Sequence, residues 1–293
     1  MGIPFRRDDA LAPGAVEDTA PGVRRVLCPN PSAFTFRGTN TYLIGGGRGV
    51  AVLDPGPEDA SHLEAILAAT RGGAVTHILV SHTHRDHSPG AAALAAATGA
   101  PTYAFGPHLT PPGEGGEGGD HAFRPDHRLA DGQAVEGDGW RLLALHTPGH
   151  CGNHLCFALE GTGTLFSADH VMSWSTSVVS PPDGDMAAYM RSLDRVRARE
   201  DGLLLPGHGP AITEPRPFLA ALKVHREERE GLVVEALKRA GRPATVAELV
   251  PPVYGPLDPR LVAAAGRSLL AHLIKLEAEG AAKREGGGAW LPV

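Results

Sequence analysis

The sequence contains little cysteine and no long apolar run. Three cysteines among 293 residues are too few, and odd in number, to form a disulfide framework. No window approaches the roughly 20 apolar residues that a membrane-spanning helix requires. The opening stretch MGIPFRRDDALAPG is charged and lacks an apolar segment, so we expect no signal peptide there. These absences predict a soluble cytoplasmic protein without a membrane partner.

The chain also lacks an excess of positive charge, since its formal net charge at pH 7 is −6. The chain as a whole therefore lacks the electrostatic signature of a nucleic-acid-binding protein. The charge is unevenly distributed along the chain. Residues 216–293 contain 12 Lys and Arg against 9 Asp and Glu, whereas residues 1–215 contain 15 against 24. This change in composition predicts a domain boundary near residue 216.

The remaining pattern indicates a chain of three parts. Residues 1–22 combine Pro and Gly with little periodicity, which predicts a loosely ordered amino terminus. Residues 23–215 alternate short apolar strands with helices and glycine turns, a pattern typical of α/β proteins. Residues 216–293 contain three helix-like segments and two short strands about a glycine turn, which is the plan of a winged-helix domain. The glycine-rich stretch at residues 106–120 is predicted to be a mobile surface loop.

The stretch ILVSHTHRDHSPG, residues 78–90, places three histidines and an aspartate at the end of an apolar strand. His82 and His84 are two residues apart, so their side chains near a strand end can point to the same side. Asp86 and His87 follow where the chain turns, and can face a second point nearby. Histidine and aspartate are also common in ordinary loops, so this cluster alone leaves both interpretations open. A metal site needs further N or O ligands from elsewhere in the chain.

Three later strands supply such ligands, because each of them ends in a polar cluster. His150 follows one strand in HTPGH, Asp169 follows another in SADH, and His208 follows a third in PGHG. Strand ends that meet at one edge of a sheet are where α/β proteins build binding sites. The glycines beside His150 and His208 allow tight turns that bring the backbone close to the site. The combined pattern favours a site for two metal ions.

The motifs SHTHRDH, HTPGHCGNH, ADH and LLPGHG, in this order and at these intervals, resemble those of the metallo-β-lactamase-fold hydrolase superfamily over roughly residues 23–215. The resemblance implies a four-layer αββα sandwich with the site at the edge where its two sheets meet. It also implies two divalent metal ions, usually zinc and in some relatives manganese or iron. The implied ligands are His82, His84 and His150 for one ion, Asp86, His87 and His208 for the other, and Asp169 as a bridge between both.

A narrower resemblance rests on the stretch NPSAFTFRGTNTYLIG, on PPDGD and on the carboxyl-terminal module. Together they are similar to the lactamase-β-like protein 2 group, whose animal mitochondrial member is an endoribonuclease that acts on single-stranded RNA. Two positions depart from the pattern of the superfamily. Ala168 precedes Asp169 where glycine is usual, and Pro89 stands where the pattern after His87 has glycine. Neither departure removes a ligand.

A hydrolytic mechanism follows from the electrostatics of two cations a few ångströms apart. They lower the pKa of a shared water from about 15.7 towards about 7. The resulting metal-bridging hydroxide can attack a carbonyl carbon or a phosphorus atom. Asp86 is the candidate for relaying the proton of this hydroxide. His154, which follows His150 in the same motif, is the candidate for the general acid that protonates the leaving group.

Several other polar residues in these motifs have two interpretations. Asp54 either accepts a hydrogen bond from a ligand histidine or caps the turn that follows it. His170 either lines the pocket or is a hydrogen-bonded histidine of the core. Asp183 and Tyr189 either contact substrate or belong to a solvated loop. Cys151 is interpreted as a small buried apolar side chain rather than a ligand, because the His and Asp ligands are already sufficient.

Three functions are consistent with the sequence. The first is a phosphodiesterase or endoribonuclease on single-stranded RNA, and the second is a hydrolase of a small acyl substrate such as a thioester, lactone or β-lactam-like compound. The third is a DNA-binding regulator whose metal site is a sensor. The carboxyl-terminal module either binds phosphates or packs on the catalytic part or on a second subunit of a homodimer. The basic residues available for phosphates are Arg260, Arg267, Lys275, Lys283 and Arg284.

Overall fold

Seven strands form the first sheet of the protein, whose computed structural model describes residues 2–113 and 118–293. In the sheet they follow the order of the chain: β1 (Val16–Ala20), β2 (Val23–Leu27), β3 (Asn40–Gly46), β4 (Gly49–Leu53), β5 (Val75–Leu79), β6 (Thr102–Ala104) and β7 (His127–Arg128). The first four strands pair antiparallel, whereas β4, β5, β6 and β7 run parallel to one another. β4 reads GVAVL and is buried along its whole length, as expected for a strand that is covered on both faces.

The second sheet has five strands in the order β12-β11-β10-β9-β8. They are β8 (Ala134–Gly137), β9 (Trp140–His146), β10 (Leu155–Leu159), β11 (Thr164–Ala168) and β12 (Leu203–Pro206). Strands β8 to β11 pair antiparallel, and β12 then pairs parallel to β11. β9, β11 and β12 therefore run in the same direction and end at the same edge of the sheet.

The two sheets pack face to face, and helices cover their outer faces. The helices of this part are α1 (Ala60–Ala69), α2 (Gly90–Thr98) and α3 (Met186–Arg197). Side chains alternate along β4: Ala51 and Leu53 lie in the core between the sheets, whereas Val50 and Val52 pack with α1 and α2. On the other side α3 packs on the second sheet through Leu193. The four-layer αββα sandwich predicted from the sequence is confirmed.

A long helix joins the sandwich to the carboxyl-terminal module. This helix is α4 (Pro215–Ala240), and α5 (Val246–Tyr254) and α6 (Pro259–Ala278) follow it. Phe218 and Leu222 of α4 pack in the core beneath the second sheet, whereas Val233 and Leu237 belong to the core of the module. We therefore propose a boundary near residue 216 between two domains, with α4 packing in both. Although α4 has 26 residues, no helix in the described part of the chain has the length and apolar character needed to cross a membrane.

A small sheet completes the module, which has the elements of a winged helix. Its strands are β13 (Ala244–Thr245), β14 (Ala282–Glu285) and β15 (Ala289–Pro292), in the order β13-β15-β14, with a 3-10 turn at Gly286–Gly288. Gly287 and Gly288 both have positive φ, so the turn between β14 and β15 depends on glycine. Trp290 of β15 is buried in the core of the module. The predicted hairpin is confirmed, whereas the short strand β13 was not predicted.

The amino-terminal segment is more ordered than its sequence predicts. Residues 1–22 were expected to be loosely ordered, but residues 16–20 form β1 and pair with β2. Asp9 lies outside any strand, yet its carboxylate accepts hydrogen bonds of 2.9 and 3.0 Å from the guanidinium of Arg25. The two side chains are only 3% and 4% exposed. This order comes from the pairing of β1 with β2 and from a buried ion pair between distant residues, and no local pattern indicates that ion pair.

The predicted surface loop at residues 106–120 lies partly outside the described residues, because 114–117 are not described. Its described ends contact the site region. Nδ1 of His108 lies 2.9 Å from the hydroxyl of Thr83, and the backbone N–H of Arg85 donates to the carbonyl of Gly118 at 2.7 Å. These two contacts attach both described ends of the stretch to the turn after β5.

We expect Asp9→Ala to lower the free energy of unfolding by about 3 kcal/mol, because the variant leaves Arg25 buried with an incomplete set of partners. Arg25 would retain Glu17, whose carboxylate lies 2.9 Å away but is 49% exposed. Asp8→Ala is the matched control, since the exposed pair of Asp8 with Arg6 contributes little. Urea denaturation measures the difference, and equal stability of the two variants would contradict the importance of the buried pair.

Candidate metal centre

The candidate site lies at the edge where strands of both sheets end. The turn after β5 contributes four residues from the first sheet, and the segments after β9, β11 and β12 contribute one each from the second. Hydrogen bonds join the sheets at this edge: the N–H of Leu155 donates to the carbonyl of Ser81 at 2.7 Å, and the N–H of Asn40 to that of Gly207 at 2.8 Å. The structure brings together all seven proposed ligands, which are His82, His84, Asp86, His87, His150, Asp169 and His208.

His82, His84 and His150 form the first group of candidate ligands. Nε2 of His82 and Nε2 of His150 each lie 3.0 Å from Nδ1 of His84. Tetrahedral zinc binds nitrogen at about 2.0–2.1 Å, which places two of its nitrogen ligands roughly 3.3 Å apart. Three ring nitrogens at the observed spacing therefore fit a single ion of this kind.

Asp86, His87 and His208 form the second group. Nε2 of His208 lies 3.3 Å from Nε2 of His87 and 3.3 Å from Oδ2 of Asp86. The three ligand atoms fall within 4.8 Å of one another. The two histidines are buried, whereas the side chain of Asp86 is 28% exposed. A mixed group of imidazole and carboxylate ligands suits several first-row divalent ions.

Asp169 lies between the two groups. Its Oδ2 is 3.6 Å from Nε2 of His150 and 3.4 Å from Nε2 of His208, and its Oδ1 is 3.5 Å from Nε2 of His87. Oδ1 is buried and has no hydrogen-bond partner among the described residues. One carboxylate thus faces ligand atoms of both groups with an unsatisfied oxygen, which fits the bridging position implied by the superfamily.

One buried carboxylate orients a histidine of each group. Asp54 accepts hydrogen bonds from the backbone N–H and the hydroxyl of Ser81, at 2.7 and 2.6 Å, and from Nδ1 of His87 at 2.9 Å. Because the Ser81 hydroxyl donates to Asp54, it accepts from Nδ1 of His82, which is 2.9 Å away. The Nε2 lone pair of His82 then points to the first group. Of the two interpretations of Asp54, the structure shows the orienting one.

Two further histidines are oriented by backbone carbonyl groups. Nδ1 of His150 donates to the carbonyl of Val178 at 2.6 Å, and Nδ1 of His208 to that of Gly38 at 3.2 Å. Metal-binding histidines are typically held in this way through the ring nitrogen that is remote from the metal. The donor atoms and their support therefore fit two divalent cations.

The two groups differ in their electrostatics. Burial, together with neighbouring histidines, lowers the pKa of His82 well below its usual value and that of His84 to about 4. These rings are neutral at pH 7 and offer a lone pair to a cation. Burial also lowers the pKa of His208, but the carboxylates of Asp169 and Asp86 outweigh it and raise the pKa to about 9. A cation that binds the second group must displace this proton, so its affinity rises with pH.

His154 does not occupy the position that a general acid needs. Its side chain is fully buried, Nδ1 lies 2.8 Å from the hydroxyl of Thr147, and Nε2 has no hydrogen-bond partner in the described part of the chain. Burial lowers the pKa of His154 well below its usual value, so the ring is neutral at pH 7. It packs against His82 with ring centroids 5.1 Å apart. The predicted acid is therefore a packing residue behind a candidate ligand.

His170 and Tyr189 belong to the core rather than to the site, and Cys151 is a buried thiol close to His84 and Asp183. His170 and Tyr189 are fully buried with ring centroids 4.9 Å apart, and the Tyr189 hydroxyl donates to the carbonyl of His170 at 3.0 Å. Neither ring nitrogen of His170 has a hydrogen-bond partner within the described residues. The core interpretation of His170 is thus correct, but the expected hydrogen bond is not found. Burial raises the pKa of Cys151 well above its usual value, which keeps this side chain a neutral thiol.

Asp183 is buried beside His84 of the first group, where it lines a cavity over the candidate ligands, and it does not belong to a solvated loop. Its side chain is 4% exposed, and Oδ1 accepts a hydrogen bond from the backbone N–H of Gly152 at 3.2 Å. Oδ2 lies 3.8 Å from Nε2 of His84 and has no hydrogen-bond partner among the described residues. The solvated interpretation is wrong because the carboxylate is buried against His84 and the backbone of Gly152.

Gly207 allows the second group and the carboxylate of Asp169 to approach each other. A Cβ at this position would lie 2.4 Å from Oδ1 of Asp169 and 2.9 Å from Cε1 of His87. Glycine is therefore required at position 207 by close packing. Ala168, which departs from the superfamily pattern, has a φ of 42° in the left-handed region that favours glycine. The structure thus explains why glycine is usual immediately before the bridging aspartate.

A cavity of about 420 Å³ opens over the ligands. Four of the candidate ligands form its floor, namely His84, Asp86, His150 and Asp169. Its walls include apolar and basic side chains, among them Phe34, Pro57, Met172, Val178, Arg85 and Arg267. A cavity of this size and mixed lining suits a small molecule.

We expect Gly207→Ala to lower the affinity for divalent metal by about tenfold or more without unfolding the protein, because the added methyl displaces Asp169 or His87. Gly202→Ala is the matched control, since a Cβ there would meet no atom within 4 Å. Competition with a chromophoric chelator measures the affinity. Equal metal affinity in both variants would show that the close approach at position 207 is not required.

Asp54→Asn is expected to weaken metal binding by about 10–100-fold, because an amide cannot accept hydrogen bonds from both Ser81 and His87 as the carboxylate does. Asp59→Asn serves as the control: Asp59 caps α1 by accepting from the N–H of His62 at 2.8 Å, and asparagine retains that capping. The same chelator competition gives the affinities, with circular dichroism to verify the fold. A loss in both variants, or in neither, would contradict the orienting role.

The chain matches two known domain families, one for each of its parts. Residues 34–208 match the metallo-beta-lactamase superfamily, and residues 245–290 match the beta-lactamase associated winged helix domain. The first match covers more than half of the chain. The superfamily and the winged-helix module expected from the sequence are both confirmed.

Relatives extend the similarity over most of the chain. It is 32% identical to the Beta-lactamase-like protein 2 homolog of Drosophila melanogaster, with 92% of both chains covered. It is 33% identical to an atrochrysone carboxyl ACP thioesterase of Aspergillus chevalieri, over 82% of this chain and 75% of that one. The crystal structure of a beta-lactamase domain protein from Burkholderia ambifaria matches with a TM-score of 0.82 and 25% identity, over 99% of this chain and 97% of that chain. With these similarities, the chain belongs to the metallo-β-lactamase superfamily.

Proposed function

We propose that this hydrolase cleaves the acyl bond of a small molecule, with a thioester as the first candidate. The cavity over the candidate ligands carries the proposal, because a volume of about 420 Å³ accommodates a small molecule. Phe34, Met172 and Val178 give this cavity apolar surface that suits an acyl chain. The relative from Aspergillus chevalieri, which is named as a thioesterase, supports the same class of substrate.

The proposed cofactors are two divalent cations, with zinc as the first candidate and manganese or iron as alternatives. Bound at the two groups, such cations would polarise the acyl oxygen and lower the pKa of a water molecule towards about 7. The residues that would hold them are His82, His84 and His150 for one, Asp86, His87 and His208 for the other, and Asp169 for both.

Asp86 is the residue of the chain that we propose for proton transfer. Its carboxylate lines the cavity and is 28% exposed. Burial raises the pKa of Asp86, but His87 and His208 outweigh it and lower the pKa below the usual value. The side chain is therefore ionised at neutral pH and, as a weak base, would pass a proton on rather than hold it.

The chemistry of the leaving group favours a thioester. His154 is not placed to act as a general acid. A leaving group that can depart without being protonated therefore suits the site best. A thiol has a pKa of about 8.5, so its thiolate is a stable leaving group near neutral pH. An alkoxide or an amine departs less readily without an acid.

Cleavage of single-stranded RNA is the second candidate. Two cations suit the displacement at phosphorus, and the similarity to the Beta-lactamase-like protein 2 homolog covers 92% of both chains. Against it, residues 1–215 contain 24 Asp and Glu but only 15 Lys and Arg, which repels a long polyanion. The ribose leaving group would also require an acid.

The packing of the module disfavours a DNA-binding regulator. Ala271 of α6 lies in the core that contains α3, so the helix that would read DNA is turned towards the catalytic part. Arg260, Lys275, Lys283 and Arg284, which were proposed for phosphates, are paired with acidic neighbours. These pairs are Arg260 with Asp258, Lys275 with Glu230, Lys283 with Glu285 and Arg284 with Glu277.

Zinc-loaded protein is expected to hydrolyse a small acyl thioester, and His82→Ala to lower kcat/KM by roughly a hundredfold or more through loss of a ligand. His77→Ala is the matched control, because its ring packs against Tyr103 and Trp140, with centroids 5.2 and 5.1 Å away, rather than among the ligands. Release of the thiol is followed colorimetrically.

Labelled single-stranded RNA, incubated with the same preparations and with Asp86→Ala, separates the two candidates. Thioester hydrolysis that depends on His82, without RNA cleavage, supports the proposal. RNA cleavage that is lost in Asp86→Ala, combined with intact thioesters, would replace the proposal by the second candidate.

A further inference from the structure

His84 presents a different ring nitrogen to the ligand groups than the other candidate ligand histidines do. Its Nδ1 lies 3.0 Å from Nε2 of both His82 and His150, so this atom belongs to the first group. A neutral ring that offers Nδ1 to a cation carries its proton on Nε2. The other four histidines hold the nitrogen remote from the ligand groups by hydrogen bonds to Ser81, Asp54 and the carbonyl groups of Val178 and Gly38.

The carboxylate of Asp183 faces Nε2 of His84. Its Oδ2 lies 3.8 Å from this nitrogen, and the side chain of Asp183 is only 4% exposed. Oδ2 is buried and has no hydrogen-bond partner among the described residues. The separation is longer than a direct hydrogen bond, but the attraction between a carboxylate and a ring N–H persists at this distance where water is excluded.

The other oxygen of Asp183 fixes the carboxylate in place. Oδ1 accepts a hydrogen bond from the backbone N–H of Gly152 at 3.2 Å and one from the hydroxyl of Thr110 at 3.3 Å. Gly152 lies in the turn that follows His150, so the carboxylate is tied to the segment that supplies a ligand of the same group. With Oδ1 held in this way, Oδ2 remains directed at His84.

A second histidine faces the same oxygen. Nε2 of His108 lies 4.0 Å from Oδ2 of Asp183, and it too is buried without a hydrogen-bond partner in the described part of the chain. The hydroxyl of Thr83 accepts from the side-chain amide of Asn153 at 2.8 Å, which leaves its own proton to donate to Nδ1 of His108 at 2.9 Å. The proton of a neutral His108 ring is then on Nε2. Two ring N–H groups therefore face Oδ2, one of them from a candidate ligand.

A cation bound by Asp183 itself would be a different use of the same residues. His84, Cys151 and Asp183 offer ligand atoms within 4.8 Å of one another. The sulfur of Cys151, however, donates a hydrogen bond of 3.0 Å to Oδ1 of Asn153 and so keeps its proton. A thiol that keeps its proton is a poor metal ligand, which favours an orienting carboxylate over a third ion.

We propose that Asp183 is a positioning residue for His84. Its Oδ2 attracts the Nε2 proton, which holds the ring with Nδ1 towards the first group and makes Nδ1 a stronger ligand. The inference rests on the proposed function for the cation that His84 would bind, but not for the bond that is cleaved. Asp183 thus acts on His84 as Asp54 acts on His87.

Asp183→Asn tests the contact made by Oδ2. The amide oxygen is expected to stay at the Oδ1 position, where the contacts with donors are shorter, so an amide N–H2 replaces Oδ2 and opposes the N–H of His84. We expect the affinity for one of the two cations to fall by about tenfold or more in chelator competition. Thr110→Val is the matched control, because it removes a donor to Oδ1 and leaves Oδ2 unchanged. It keeps the affinity of the wild type.

NMR of bound cadmium gives a readout that does not depend on turnover, because each bound ion has its own resonance. In Asp183→Asn the resonance of one ion is expected to shift or disappear while the other is retained. Asp183→Ala, which lacks both oxygens, is expected to show the same selective change, with circular dichroism to verify the fold.

The outcomes separate this inference from the proposed function. A loss confined to one ion and absent from Thr110→Val supports the role of Asp183, even if no thioester is hydrolysed. Thioester hydrolysis combined with unchanged metal affinity in Asp183→Asn overturns the role and leaves the proposed function in place. Equal weakening of both ions also overturns it, because that result indicates a general disturbance of the fold. Loss of a third ion in Asp183→Asn overturns it as well, since Asp183 would then be a ligand.

Discussion

The hydrogen bonds of Asp54 are the contacts on which the rest of the site depends. This carboxylate is 2% exposed, and its charge is satisfied by Ser81 and His87 in the turn after β5. A buried carboxylate without such donors would cost several kcal/mol, so the end of β4 and that turn fix each other. Through the Ser81 hydroxyl the same contact orients His82. Asp54 therefore orients one histidine in each of the two ligand groups. The second sheet adds the remaining ligands to this turn.

Local patterns predicted those features that depend on neighbouring residues. Apolar runs that end in polar clusters predicted the strands before His82, His150, Asp169 and His208. Strands that run in the same direction end at one edge of a sheet, so the residues that follow them come together there. Sequence signals for helix starts and glycine turns predicted most of the other elements, including the three helices and the hairpin of the module. Assignment of ligands to two groups came from the resemblance to the superfamily, since spacing alone does not fix how separate strand ends meet.

The features that the sequence did not predict depend on contacts between distant residues. Asp9 orders the amino-terminal segment only because the fold buries Arg25 beside it. His154 follows a candidate ligand closely in the sequence, yet the turn between them directs its ring into the core behind His82. Arg267 reaches the cavity because α4 and α6 pack on both parts of the chain. In each case the role of the side chain depends on its burial, and that burial results from the packing of the layers.

The packing of the module also brings a second part of the chain to the cavity over the candidate ligands. All seven candidate ligands lie between His82 and His208, and the close approach at Gly207 leaves little room for change among them. α6 contributes a wall of the same cavity through Arg267, which lies outside this range of ligands. A winged-helix fold whose third helix is turned inwards therefore takes part in forming the cavity over the candidate ligands. On the outer surface of the module, Arg260, Lys283 and Arg284 are paired with acidic neighbours.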